Sequence, residues 1–149
     1  KTIKKADAEG VCEFGSCCHS VNEGNRLCYR MQCVQTTLGI TRELGWEADK
    51  YSVAFQSRFG PLPWIQPYLD EHIEGLVANH RRRIAVVTPS FISDCLETLF
   101  EIGVEYREQF DEAGGEEFQL VPNLNNDAGW FKAVYEIASK HLDFFAREV

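Results

Sequence analysis

Residues Thr88–Phe110 read TPSFISDCLETLFEIGVEYREQF. The stretch leaves an apolar run, turns through Pro89 and Ser90, and then takes up a helical period. Ser93 and Asp94 are residue types whose side chains accept the free N–H groups of a helix start, so a helix is predicted over 93–113, ended by Gly114 and Gly115. Leu96, Leu99, Phe100 and Gly103 recur at the spacing of one face, which is expected to pack on a sheet. Glu97, Glu101 and Glu105 recur four apart on a neighbouring face. Like charges at that spacing repel by about 0.2–0.5 kcal/mol per pair. They form either a solvated acidic face or a file of hard oxygen ligands that handles a divalent cation or a proton. Steps of four drift by roughly 40° in a regular α-helix. A continuous file would therefore be helped by a local π-type widening, which is frequent at functional sites.

Working outward, Ile84–Val87 is a continuous β-branched run of the kind found in buried parallel strands. Tyr51, Val53 and Phe55 alternate and predict a strand ended by Gly60-Pro61-Leu62-Pro63. Phe118–Val121 predicts a third short strand, followed by a polar turn at Asn123–Asp127. Helices are predicted over Tyr29–Leu44, stopped by Gly45, and over Asp70–Ala78. A last helix is expected over Ala128–Ala146, with Phe131, Val134, Ile137, Ala138, Leu142 and Phe145 as its apolar stripe. Strands alternating with helices define an α/β class with a parallel sheet covered by helices on both faces. Functional residues are then expected just past the carboxyl ends of strands, where Gln56–Arg58 and Thr88–Asp94 both fall.

The chain has 149 residues, 44% of them hydrophobic, enough for a core of its own. A net charge of −8 argues against nucleic acid or an anionic membrane surface as the main partner. No apolar run approaches the ~20 residues of a membrane span, and no secretory signal is present. The opening KTIKKADAEG suits a fragment or a processed product.

Five of the six cysteines lie between Cys12 and Cys33, spaced Cys12-x4-Cys17-Cys18-x9-Cys28-x4-Cys33. Residues 1–28 show no sustained period and read as a Cys-rich loop. A sizeable apolar core without an export signal favours metal binding over disulfides. Zinc and a [2Fe–2S] cluster both remain open, since four thiolates hold either, although the clean paired spacing of zinc sites is missing.

Two segments carry a family resemblance. TPSFISDCLETLFEIGVEY is similar to the ferrochelatase signature in which a strand leads into S-D-x-x-E-T-L-x-E. FQSRFGPLPW at Phe55–Trp64 resembles the Q-S-[KR]-x-G-P-x-x-W segment of the same family, in the same order and at the same separation. The likeness runs through essentially the whole chain, but only as the C-terminal half of such an enzyme. It implies a Rossmann-type half fold of residues 29–149 behind the loop of residues 1–28, and insertion of ferrous iron, as substrate, into protoporphyrin or coproporphyrin for haem synthesis. It marks Glu97 as the catalytic carboxylate, with a pKa raised by burial beside the macrocycle. Glu101, Glu105 and Asp94 would form a metal or proton relay. Trp64, Phe59, Pro61, Ser57, Arg58 and Tyr29 would serve the porphyrin, with packing for Phe59 and a structural ion pair for Arg58 as rival roles.

Some bacterial ferrochelatases carry a [2Fe–2S] cluster in an inserted segment at this place. That resemblance assigns Cys12, Cys17, Cys18 and Cys28 as ligands, with Cys33 in reserve and Cys95 left to packing. The implied partners are the porphyrin and the N-terminal half of the same enzyme. A homodimer through the last helix and a peripheral membrane contact, in a cytoplasmic bacterial setting, complete the expectations. One departure matters: the family's histidine motif S-x-H-[GS]-[LIV]-P is absent, and would precede Lys1 in the family order. The alternatives are a stand-alone Fe–S or metal-binding module on a chelatase-type fold, and a cobalt-type chelatase. The latter typically places histidines where Glu97 and its neighbours stand, and this chain has none there.

Overall fold

The computed structural model describes residues 17–58, 60–61 and 64–145. Their elements are α1 (Tyr29–Glu43), α2 (Leu69–Ala78), β1 (Arg83–Val86), a π-helix (Glu97–Glu105), α3 (Tyr106–Glu112), β2 (Glu117–Leu120) and α4 (Ala128–Phe145), with short 3₁₀ turns at Cys17–His19 and Ala48–Lys50. This is an α/β arrangement. The Glu117 N–H bonds the Arg82 carbonyl and the Val121 N–H bonds the Val86 carbonyl. Both partners advance by four residues between these bonds, so β1 and β2 run parallel.

Among the described residues the sheet has two strands, one fewer than the sequence predicts. Tyr51–Phe55 forms no strand; Phe55 makes a single parallel bridge to Tyr68. The Phe55 N–H bonds the Pro67 carbonyl and the Leu69 N–H bonds the Phe55 carbonyl. Pro67 has no N–H to offer, and the next residues along that side enter α2, so the ladder stops at one rung.

The chain divides into two compact units: Lys1–Ile84 with Tyr106–Phe118, and Ala85–Glu105 with Gln119–Val149. The first unit is organised around Phe110, fully buried, with Ile73, Val77 and Phe118 also buried. The Phe110 and Phe118 rings meet edge to face at 5.7 Å, a favoured aromatic geometry. Gly115 lies flat on the Phe110 ring; a Cβ there would come within 2.2 Å of ring carbons. Three helices of this unit end alike. In α1, the Gly45 and Trp46 N–H groups return to the Arg42 and Thr41 carbonyls, and the same pair of bonds closes α2 at His80–Arg81 and α3 at Gly114–Gly115. This is the Schellman ending, which needs a left-handed residue after the cap. Gly45 supplies it at φ 66° and His80 at φ 62°.

In the second unit Ile102 and Thr98 are buried. Gly103 lets the π-helix come close to β2, since a Cβ on it would lie 3.3 Å from Leu120 Cδ2. The helix predicted from Ser93 begins only at Leu96 and is π-helical for nine residues. Its buried line is therefore Thr98 and Ile102, and the expected face is corrected: Leu96, Leu99 and Phe100 are exposed. A widened turn holds more residues, so side chains four apart no longer drift as an α-helix would carry them. The stripe of α4 is likewise not packed: Phe131, Val134, Ile137 and Leu142 are exposed. Asp127 starts α4 as expected of a cap, its Oδ1 accepting the Gly129 and Trp130 N–H groups. No described helix is long and apolar enough to cross a membrane.

Candidate functional site

In the second unit the residues predicted to carry chemistry lie past the carboxyl ends of the strands, as parallel sheets favour. The loop after β1 bears Thr88, Asp94 and Cys95, and the loop after β2 bears Asn123 and Asn125. Thr88 Oγ1 donates to Asn123 Oδ1 at 2.6 Å. Asn125 Oδ1 accepts the Asp94 N–H at 2.9 Å, and Asn125 Nδ2 donates to Asp94 Oδ2 at 2.8 Å. Asp94 therefore does not cap the helix, contrary to expectation. The cap comes from inside it: the buried Thr98 Oγ1 accepts the Cys95 N–H at 3.0 Å and donates to the Cys95 carbonyl at 3.1 Å. This is half of a capping box with threonine in place of glutamate.

Glu97 and Glu101 are half-buried and Glu105 is exposed, so the acidic residues grade from sheltered to open along the π-helix. The Glu97 carboxyl is held below the ordinary glutamate range by its own backbone N–H and by the Cys95 thiol, against a smaller desolvation effect. Here hydrogen bonding to the charged form outweighs burial. The carboxylate is ionised at neutral pH.

The residues expected to meet a porphyrin belong to the first unit. Arg58 is engaged by its own neighbours, in an ion pair with Asp70 and 4.3 Å above the Tyr68 ring. Ser57 Oγ donates to Gln56 Oε1 at 2.9 Å. Trp64 is half-buried, while Pro61 and Tyr29 are exposed, Tyr29 as the first residue of α1. Phe59 lies outside the described residues.

The same unit holds the cysteines. Cys18 and Cys28 are buried with Met31 in one cluster, and Cys17 and Val34 pack against it. Asn25, also buried, ties the segment together: its Nδ2 donates to the Cys17 and Ser20 carbonyls at 2.7 Å each, and its Oδ1 accepts the Asn22 N–H. Arg30 donates from Nη1 to Cys18 Sγ. Burial pushes the Cys18 thiol up while the Arg30 hydrogen bond and charge pull it down. Cys33 sits half-buried on α1, and Cys12 lies outside the described residues. Among the described residues, no three metal-ligating side chains converge on one point. Asn25, Arg30, Asn123 and Asn125 carry these arrangements and were not singled out from the sequence. The only signal was the N-x-N of the turn after β2, which reads equally well as a plain turn.

Fold and site together define an α/β protein with a file of carboxylates on a π-helix beyond a parallel sheet. Comparison with known proteins sets the family. The family model described as Ferrochelatase matches residues 3–142. A ferrochelatase of Legionella pneumophila (strain Corby) is 41% identical over 140 residues, covering 94% of this chain and 42% of its own length. One of Azotobacter vinelandii is 43% identical over 138 residues, covering 91% and 41%. One of Coxiella burnetii is 38% identical over 143 residues, covering 96% and 40%. The chain belongs to the ferrochelatase family, and it spans about two fifths of the length of the curated relatives it matches.

Proposed function

We propose that this chain supplies the carboxylate side of a ferrochelatase site, in which ferrous iron enters a porphyrin and the two pyrrole N–H protons leave. The observation that carries the reading is the π-helix Glu97–Glu105, whose glutamates run from half-buried to exposed, headed by a carboxylate that is ionised at neutral pH. An ionised carboxylate attracts Fe²⁺ and steadies the positive charge as it approaches the ring. Glu97 acts in proton abstraction or metal delivery at the porphyrin centre. Glu101 and Glu105 continue the path outward, and Asp94 stands beside its start. The family match over residues 3–142 supports the same reading.

Trp64 and Tyr29 offer aromatic surface to the macrocycle, with Phe59 and Pro61 beside Trp64 in sequence and Ser57 close by. Arg58, already paired with Asp70 and stacked on Tyr68, braces this segment. Within residues 1–28, Cys12, Cys17, Cys18 and Cys28 would hold a [2Fe–2S] group. Its support is the cysteine spacing and the shared packing of Cys17, Cys18 and Cys28 with Met31, while among the described residues no three ligating side chains converge on one point. When bound, such a group supplies a covalent cross-link of the loop, since metal insertion itself moves no electron.

The test uses the intact enzyme that carries this chain, following loss of porphyrin fluorescence with Fe²⁺ under anaerobic conditions. Glu97→Gln is expected to lower the rate by about 10²-fold or more, in the range of a lost acid–base group. Insertion at the wild-type rate would overturn the assignment. Iron and sulfide analysis of anaerobically purified protein tests the cluster: two of each per chain are expected, and a single zinc would exclude it.

A further inference from the structure

The two loops beyond the sheet are joined through one side chain. Asn125 makes four hydrogen bonds: its N–H to the Ile92 carbonyl at 2.9 Å, its Oδ1 from the Asp94 N–H, and its Nδ2 to Asp94 Oδ2 and to the Asn123 carbonyl at 3.3 Å. The amide orientation is fixed by these partners, because turning it over would set N–H against N–H and oxygen against a carboxylate. The backbone at Asn125 is left-handed, φ 45°. Asparagine is the residue that meets every demand at once. It tolerates that backbone, and it accepts and donates from a side chain short enough to reach the next loop. Glycine tolerates the backbone and makes none of the side-chain bonds. Aspartate accepts from the Asp94 N–H but would face the Asp94 carboxylate with like charge.

The bonds hold Asp94 at both its backbone and its carboxylate. Asp94 precedes Cys95, the residue that Thr98 caps at the head of the Glu97 helix. Thr88 and Asn123 fasten the same two loops at a second point. A tie between loops at this place fixes where the carboxylates stand relative to β1 and β2, and small misplacements of reacting groups are costly.

We propose that Asn125 is a positioning residue: it sets the Asp94 carboxylate, and through it the first turn of the Glu97 helix, for metal insertion. The inference rests on the proposed function. Asn125 itself touches no reacting atom.

The experiment is steady-state Fe²⁺ insertion by the intact enzyme carrying Asn125→Gly, Asp94→Ala, or both. Asn125→Gly is expected to lower kcat by about tenfold, with KM for porphyrin changed by less than about twofold, as a misplaced site does. In the Asp94→Ala background the same change is expected to lower kcat by less than about twofold further, because Asn125 acts through Asp94. A full additional loss there, an unchanged kcat in the single variant, or an effect on KM alone would overturn the proposal. Should Asn125→Gly fail to fold, Asn125→Asp keeps the backbone tolerance and one bond, and must show the same fall in kcat. Glu97→Gln separates the two readings. If it inserts iron at the wild-type rate, the proposed site fails. If it is impaired while Asn125→Gly is not, only the positioning role fails.

Discussion

The Arg30 guanidinium donates to the Cys18 sulfur at 2.8 Å. Its Nε also donates to the Gln66 carbonyl at 3.2 Å. One cation on the first turn of α1 therefore ties the Cys-rich segment to the stretch between Trp64 and Tyr68.

The tie has a chemical consequence at Cys18. Burial disfavours the thiolate, and Arg30 opposes burial by hydrogen bond and by charge. Arg30→Met removes both opposing effects and leaves burial in place, so the thiol rises further. Thiolate is the reactive form, and each pKa unit changes its population about tenfold below the pKa. Alkylation of the reduced chain near pH 8, followed site by site by mass spectrometry, should slow several-fold at Cys18 and not at Cys33. Equal rates at Cys18 in the two proteins would show that the guanidinium does not act on that sulfur.

How much of this was legible in the chain depends on the range of the force involved. Helix limits with local signals were read nearly to the residue: Gly45 ended α1, and the polar turn Asn123–Asp127 gave way to α4 at Ala128. Both act within a few residues of their own position. The π-helix was suggested by glutamates four apart, but its displacement of the buried line from Leu99 to Thr98 and Ile102 was not, because a helical-wheel reading assumes a fixed turn. The strand at Tyr51–Phe55 failed because alternation predicts a surface that fits a sheet, whereas pairing needs a partner with N–H groups, and Pro67 has none to give. The Asn125 clamp joins residues far apart in sequence, and no local pattern announces such a bond.

His80 ends α2 in a left-handed conformation, φ 62°, where α1 uses glycine. A side chain in that region costs about 1–2 kcal/mol, while a glycine adds about 0.4–1 kcal/mol of unfolded-state entropy. His80→Gly is therefore expected to stabilise the chain by about 0.5–1 kcal/mol. The His80 N–H bond to the Val77 carbonyl is kept. Urea unfolding of the two proteins measures it. A loss of stability would mean that the imidazole makes contacts worth more than the backbone strain.

Thr98 is 1% exposed and serves both the N–H and the carbonyl of Cys95. Thr98→Val keeps the shape and deletes the hydroxyl, leaving the Cys95 N–H without its cap. The expected cost is about 1–3 kcal/mol, the penalty for a stranded buried donor. Thr98→Ser keeps both bonds and gives up one methyl, worth about 0.8 kcal/mol. Valine should therefore be the more damaging change in chemical denaturation. The reverse order would make the methyl, and not the hydroxyl, the reason for threonine at the head of the π-helix.

The Cys95 thiol also bears on Glu97, and that influence can be read by titration. The largest influence holding the Glu97 carboxyl down is its own backbone N–H, and the Cys95 thiol is the second. A carboxyl whose folded pKa lies below its unfolded value contributes stability that is complete above the ordinary glutamate range. That stability is lost as pH falls through the folded value. Cys95→Ala removes the thiol and leaves the N–H, so the Glu97 midpoint should rise part of the way to the ordinary range. Carbon-13 NMR of the labelled side chain follows it directly, and acid unfolding should begin at a higher pH in the same variant. Cys95→Ser restores a donor at that place and should bring the midpoint back down. If alanine leaves the midpoint where it was, the backbone alone sets the charge of Glu97. The residue between Asp94 and Leu96 then plays no part in tuning the carboxylate.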